Sequence, residues 1–325
     1  MKLPRRQFLK LSVGAFAVPA VSGIARAQTY PTRPVRVIVG YAAGGASDIA
    51  ARLIGQRLYV RLGQSFVIEN RPGAASNLAT ETVVHAPPDG HTLLLVSASN
   101  AINATLYDKL NYNFIRDIAP VGSITRGPLV MLVNQSFPAT TAAEFIAYAK
   151  ANPGQINMAS AGVGSPQHLA GELFSAMAGI KMLHVPYRGA PPALTDLIGG
   201  QVQVYFGSTS GAISYVRSGQ LRALAVTSAA RSEALPDTPA VSEFVPGYEA
   251  TTWYGFGAPK GTSAAIIEKL NAEINAALGD ATIKSRMAEL GGTALPGSPA
   301  EFAKLIADET ERWGKAVKFS GVKES

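Results

Sequence analysis

The amino-acid sequence predicts an α/β protein of two lobes, each a sheet flanked by helices. Three observations predict it. Short β-branched runs alternate with helical patterns, the signature of parallel strand–helix units. Two glycine-rich turns each lie between a strand and a helix. The roughly 298 residues that follow an N-terminal leader suit two lobes of ordinary domain size better than one core.

The leader comes first. Arg5-Arg6-Gln7-Phe8-Leu9-Lys10, an apolar run from Leu11 to Val21 and Ala25-Arg26-Ala27 before Gln28 read as a twin-arginine export signal over residues 1–27, cleaved after Ala27. The apolar run is about half of the roughly 20 residues a membrane span needs, and it is rich in Ala, Gly and Ser. No later segment is long and apolar enough to span, so the expectation is a soluble periplasmic protein. Removing the leader's five basic residues takes the formal +7 to +2, which gives no warrant for a nucleic-acid partner. Cysteine is absent, excluding disulfide staples, thiol catalysis and Cys-ligated metal.

Beyond the leader, Val35–Val39 reads as a strand. Ile54, Leu58 and Leu62 recur every four positions, as do Ile49 and Leu53, so 48–62 reads as a helix. Gly63 supplies its stop. A strand at 66–69, a helix at 77–85 and a strand at 92–96 follow, with Asp89-Gly90 as the turn before the last. Next come a strand at 129–133, a helix at 141–152 and a strand at 156–159. A helix starts near Ser165-Pro166, where proline is favoured because its missing N–H would have no partner. Further strands read at 182–185, 202–206, 221–227 and 253–258, and the tail reads as helices at 263–278, 283–290 and 298–319.

Two segments are expected to carry the chain between lobes: the strand-like Ile118–Ile124 and the stretch from Pro246-Gly247-Tyr248 to Trp253. Neither is long or Ser/Gly-rich, so two short crossings would form a hinge. The expected division is 28–126 with 252–325 as one lobe and 127–251 as the other.

The candidate binding residues lie at strand ends. Gly40 to Asp48 holds Gly44-Gly45 before a helix, where backbone amides and the helix end favour an anion. A plain strand–helix turn capped by Ser47 or Asp48 explains the glycines equally well. Ser160 to His168 repeats the arrangement, and His168 could donate to a carboxylate or be a satisfied half-buried histidine. In open α/β sheets ligands sit at the carboxyl ends of strands, so two such turns in facing lobes describe a cleft. Loops at Ser97–Asn100, Tyr187–Gly189 and Gly207–Ser210 fit the same edge. Arg188 suits a carboxylate partner or a solvated surface.

Enzyme signatures are poor. Gly207-Ser208-Thr209-Ser210-Gly211 resembles a nucleophile elbow but puts Thr209 at the nucleophile position. His85, His91, His168 and His184 lack metal-ligand spacing. No catalytic residue, metal or cofactor is expected.

Several motifs carry a family resemblance: Tyr30-Pro31-Thr32-Arg33-Pro34, Gly44-Gly45-Ala46-Ser47-Asp48, Glu69-Asn70-Arg71-Pro72-Gly73-Ala74, Pro88-Asp89-Gly90-His91-Thr92-Leu93, Ser160 to His168, Val185-Pro186-Tyr187-Arg188-Gly189-Ala190-Pro191-Pro192-Ala193, Gly219 to Ala225 and Gly255 to Thr262. In number and order they resemble the substrate-binding receptors of tripartite tricarboxylate transporters, the Bug family, over essentially the whole chain after the leader. The resemblance implies a type II-like periplasmic-binding-protein fold that closes on a small carboxylate and delivers it to membrane permease subunits. It implies a carboxylate held largely by backbone amides and bridging waters from Tyr41 to Gly45 and from Gly162 to His168. The resulting site is Tyr41, Ala43, Gly44, Gly45, Ser97, Asn100, Ser160, Gly162, Gly164, Ser165, His168, Tyr187, Ser208 and Thr209, in a monomer. Tyr41-Ala42-Ala43 departs from the aromatic-Pro-Pro run of many relatives, and Gln203 stands where aspartate is common. The alternatives are a ligand sensor for a two-component histidine kinase and an α/β hydrolase, which would need a nucleophile with a positioned base.

Overall fold

The computed structural model describes residues 30–323; the twin-arginine leader expected over residues 1–27 lies outside the described residues. The chain opens as strand β1 (Val35–Val39), helix α1 (Ala46–Leu62), β2 (Phe66–Asn70), α2 (Asn77–Val84), β3 (Thr92–Ser97) and α3 (Ala98–Leu106), then a short α4 (Phe114–Asp117). The strand β4 (Ile118–Asn134) leads to α5 (Ala142–Ala151), β5 (Asn157–Ser160), α6 (Pro166–Ala178), β6 (Leu183–Pro186), α7 (Ala190–Ile198), β7 (Val204–Ser208), α8 (Thr209–Arg217) and β8 (Leu221–Val226). The chain then returns through β9 (Thr251–Pro259) to α9 (Ala264–Gly279), α10 (Ala281–Glu289), β10 (Thr293–Ala294) and α11 (Pro299–Ser320).

The strands form one curled sheet in the order β2-β1-β3-β9-β4-β7-β5-β6, with β8 and β10 both on β4. Each half has its own parallel strands, β1 with β2 and β3, and β5 with β6 and β7. Both halves meet on β4. Its residues Ile118 to Pro128 run antiparallel to β9, and Leu129 to Val133 run antiparallel to β7. The change of partner falls between Pro128 and Leu129, and the return crossing enters β9 opposite it at Thr251.

Strand alternation sends successive side chains to opposite faces. Val35, Val37 and Val39 pack with Ile54 and Leu58 of α1, while Ile38 joins Ala101 and Ile102 of α3 on the other face. In β4, Leu129, Met131 and Val133 share a core with Phe174 of α6, and Val130 and Leu132 meet Leu194 of α7 and Ile213 of α8. Helices therefore cover both faces of each half, the two-lobed α/β architecture the alternation predicts.

Four local differences from the sequence reading have physical causes. The segment Ile118–Asn134 is one strand where the sequence shows an extended piece, a break and a second strand. Pro120, Gly122, Gly127 and Pro128 weaken the strand pattern, and the pairing absorbs the first two by a register shift between Pro120 and Gly122. Ser97–Asn100 and Gly207–Ser210 are not loops, because α3 starts at Ala98 and α8 at Thr209. Ser, Thr and Asn are weak helix formers, yet burial of Ala98, Ala101, Ile102 and Leu106 in α3 outweighs that preference. Finally, α7 begins directly at Ala190-Pro191-Pro192, with proline in its first turn.

Candidate functional site

Five helices begin at one place. The N-terminal residues of α1, α3, α6, α7 and α8 all reach a single cavity at the carboxyl ends of the strands, through Gly45 and Ala46, Ser97 and Ser99, Pro166 and Gln167, Ala190, and Ser208 and Gly211. No side chain caps the N-terminus of α1 or α8, and in α7, also uncapped, Pro191 and Pro192 leave Ala190 as the one N–H among the first three residues. First-turn amides left uncapped carry partial positive charge and are donors for an anion. Among the described residues, no charged side chain lines the cavity.

Its side-chain donors and acceptors are neutral. The Tyr41 hydroxyl is hydrogen-bonded to Ser99 Oγ, and Ser208 Oγ accepts from Gln167 Nε2 at 3.2 Å and lies 3.4 Å from the Tyr254 hydroxyl. Burial raises the Tyr41 and Tyr205 phenols above the ordinary tyrosine range, so both stay protonated. Four further polar atoms here are buried without a hydrogen-bond partner: Ser97 Oγ, Gln167 Oε1, the Tyr205 hydroxyl and Thr252 Oγ1. Buried polar atoms are ordinarily paired, so four such atoms around one cavity mark a place built to hold a polar molecule.

The two sides are in contact. Backbone at Gly189 lies so near Ala42 that a Cβ there would stand 3.0 Å from the Ala42 side chain, and one on Gly211 would stand 3.3 Å from the Ala46 nitrogen. The Tyr107 hydroxyl also donates across to Val163 O at 3.2 Å. The remaining space is about 20 Å³, room for about one water.

Of the residues named from sequence, Tyr41, Gly45, Ser97 and Ser208 line this cavity. Gly44 closes the first turn, adopting φ +83° and donating its N–H to Asp48 Oδ2 at 2.9 Å, while Ala43 and Gly44 are exposed. Asn100 faces inward, accepting from Ser97 N and donating to Thr80 Oγ1. Tyr187 donates to Asp196 Oδ2 and Thr209 to Pro128 O. Arg188 is exposed and outside the lining.

The second glycine turn is held from behind. Ser160 Oγ accepts from Gly162 N at 3.0 Å and shares a 2.6 Å hydrogen bond with His184 Nε2. Ser165 caps α6 by accepting His168 N, and His168 Nδ1 accepts from Gly164 N at 3.3 Å. The His168 and His184 rings stack at 3.7 Å. Burial, aided by His184, lowers the His168 pKa to about 3, and burial lowers that of His184 to about 4. Both rings are therefore neutral near pH 7 and hold the turn rather than lining the cavity.

Ser99 and Gln167 fall within the segments Ser97–Asn100 and Ser160 to His168 singled out from sequence, though not in the final residue set, whereas Tyr205, Thr252 and Tyr254 are not named there as site residues. Strand parity carries the signal for these three. Trp253 points into one core while Tyr254 turns to the opposite face, and Val204 and Phe206 flank Tyr205 in the same way.

A two-lobed fold with helix N-termini from both halves around one neutral cleft defines a solute-binding protein. The comparisons make the assignment specific. Residues 50–322 match the family model described as the tripartite tricarboxylate transporter family receptor. Protein BugT of Bordetella pertussis is 36% identical over 315 residues, covering 96% of this chain and 97% of BugT. The structure of R. palustris Rpa4515 with adipate superposes with a TM-score of 0.89 at 36% identity, covering 90% of this chain and 99% of that one. MatC (Rpa3494) from Rhodopseudomonas palustris with bound malate gives 0.85 at 33% identity, covering 89% and 100%. This chain belongs to the tripartite tricarboxylate transporter receptor family, of the Bug type, and is a solute-binding receptor.

Proposed function

We propose that the protein is a periplasmic receptor that captures a small organic carboxylate in the neutral cavity, closes on it and presents it unchanged to permease subunits in the membrane. The observation that carries this reading is the set of three unpartnered buried hydroxyls, of Ser97, Tyr205 and Thr252, beside helix N-termini from both halves. A carboxylate accepts several amide and hydroxyl hydrogen bonds at once, and charge-assisted bonds of this kind are the strong ones. Adipate and malate in two relatives support the ligand class. The paired arginines Arg5-Arg6 support export by the twin-arginine route with cleavage after Ala27. A lobe division at 126/127 and 251/252 draws support from the change of strand partner on β4 two residues later, between Pro128 and Leu129, and from the start of β9 at Thr251.

Thermal unfolding with added malate or adipate tests the ligand class. A ligand bound only by the folded state at 100 times its dissociation constant adds about 2.7 kcal/mol, a shift of several degrees. Mass analysis of the recovered compound is expected to return it unchanged. Absence of any shift with a panel of mono- and dicarboxylates, or conversion of the compound, overturns the reading.

A further inference from the structure

The polar cavity has an apolar neighbour. Ala46, Ser208, Thr252 and Tyr254 line both spaces and form the wall between them. Beyond that wall the lining turns aliphatic, with Ile49 and Leu53 on α1 and Met287 and Leu290 at the end of α10. Ile49, Leu53 and Leu290 are only half-buried. Among the described residues no charged side chain lines this second space, which measures about 30 Å³.

Helix α1 runs along both. Its first turn, at Ala46, is on the polar cavity, and Leu53, two turns later, is on the apolar one. Seven residues at the helical rise set about 10 Å between the two ends. Tyr254 lines both spaces, with its hydroxyl 3.4 Å from Ser208 Oγ.

We propose that the ligand is a monocarboxylate with an apolar body: the carboxylate takes the amides and hydroxyls at the start of α1, and the body, admitted as the halves part, passes Tyr254 toward the aliphatic lining. This rests on the carboxylate-receptor reading above. Methylene or aryl surface moved from water against Ile49, Leu53 and Leu290 gains affinity in proportion to the area covered. A second carboxylate at that end would lose its hydration with no cation to replace it.

Isothermal titration with octanoate, malate and adipate tests the inference on the intact mature protein. Octanoate is expected to bind more tightly than malate. Leu53→Asp and Leu290→Gln, at half-buried positions, are each expected to lower the octanoate-to-malate affinity ratio by about tenfold. Tighter binding of malate or adipate than of octanoate overturns the inference and leaves the receptor reading standing. A ratio unchanged in both variants overturns the placement of the body against α1 and α10. Failure of octanoate to bind likewise overturns the inference, while the receptor reading is decided by the wider carboxylate panel above.

Discussion

Tyr205 brings a hydroxyl to the cavity from the middle of β7, fully buried and without a partner. An unpaired buried hydroxyl costs about 1–3 kcal/mol, which the fold bears at a position where phenylalanine would pack equally well. Tyr205→Phe is therefore expected to leave the unliganded melting temperature unchanged or raise it. The same change is expected to weaken malate binding by tenfold or somewhat more, since a hydrogen bond to a charged group contributes about 1.5–3 kcal/mol. Thermal unfolding with and without malate measures both. A lower melting temperature with unchanged affinity would make the hydroxyl structural. His168 shows the other side of reading side chains from sequence. Its place at the start of a helix after glycines was legible, but only packing reveals that its Nδ1 is occupied by Gly164 and its ring by His184.

Helix α11 is tied to both crossing strands by one carboxylate. Glu309, buried to 4% exposure, accepts from the indole nitrogens of Trp253 and Trp313 at 3.2 and 3.1 Å and from Arg312 at 2.8 Å, and faces Arg126 at 3.5 Å. Arg126 and Arg312 also donate to Thr251 Oγ1, at the point where β4 and β9 change halves. Glu309→Leu strands two indole donors, so a loss of about 2–4 kcal/mol is expected. Glu309→Gln, which keeps one acceptor, should lose less. Denaturant midpoints at constant slope measure the difference, and equal midpoints for both variants and the wild type would remove Glu309 from the account. From sequence, Glu309 reads as one solvated acid among several, because its partners lie 56 and 183 residues away in the chain. The helical spacing of α1 and the β-branched run of β1 were legible because local periodicity alone encodes them. The polar starts of α3 and α8 were not, because tertiary burial decides them.

At the scale of the molecule, the contacts between Gly189 and Ala42 and between Gly211 and Ala46 describe the two halves together. Small-angle scattering is expected to show a larger radius of gyration for the unliganded protein in solution than with saturating malate, because a ligand touching both halves favours the joined form. An identical radius in both conditions would overturn closure about the β4 and β9 crossings. The four unpartnered polar atoms give this motion a further meaning. Ser97 Oγ and Thr252 Oγ1 stand on β3 and β9 of one half, and Gln167 Oε1 and the Tyr205 hydroxyl on α6 and β7 of the other. Each half on its own is an incomplete socket, and among the described residues neither brings a charged side chain to the cavity lining. On the proposed closure cycle, parting the halves dismantles the socket, and the cargo is expected to leave without help from salt or a rival anion.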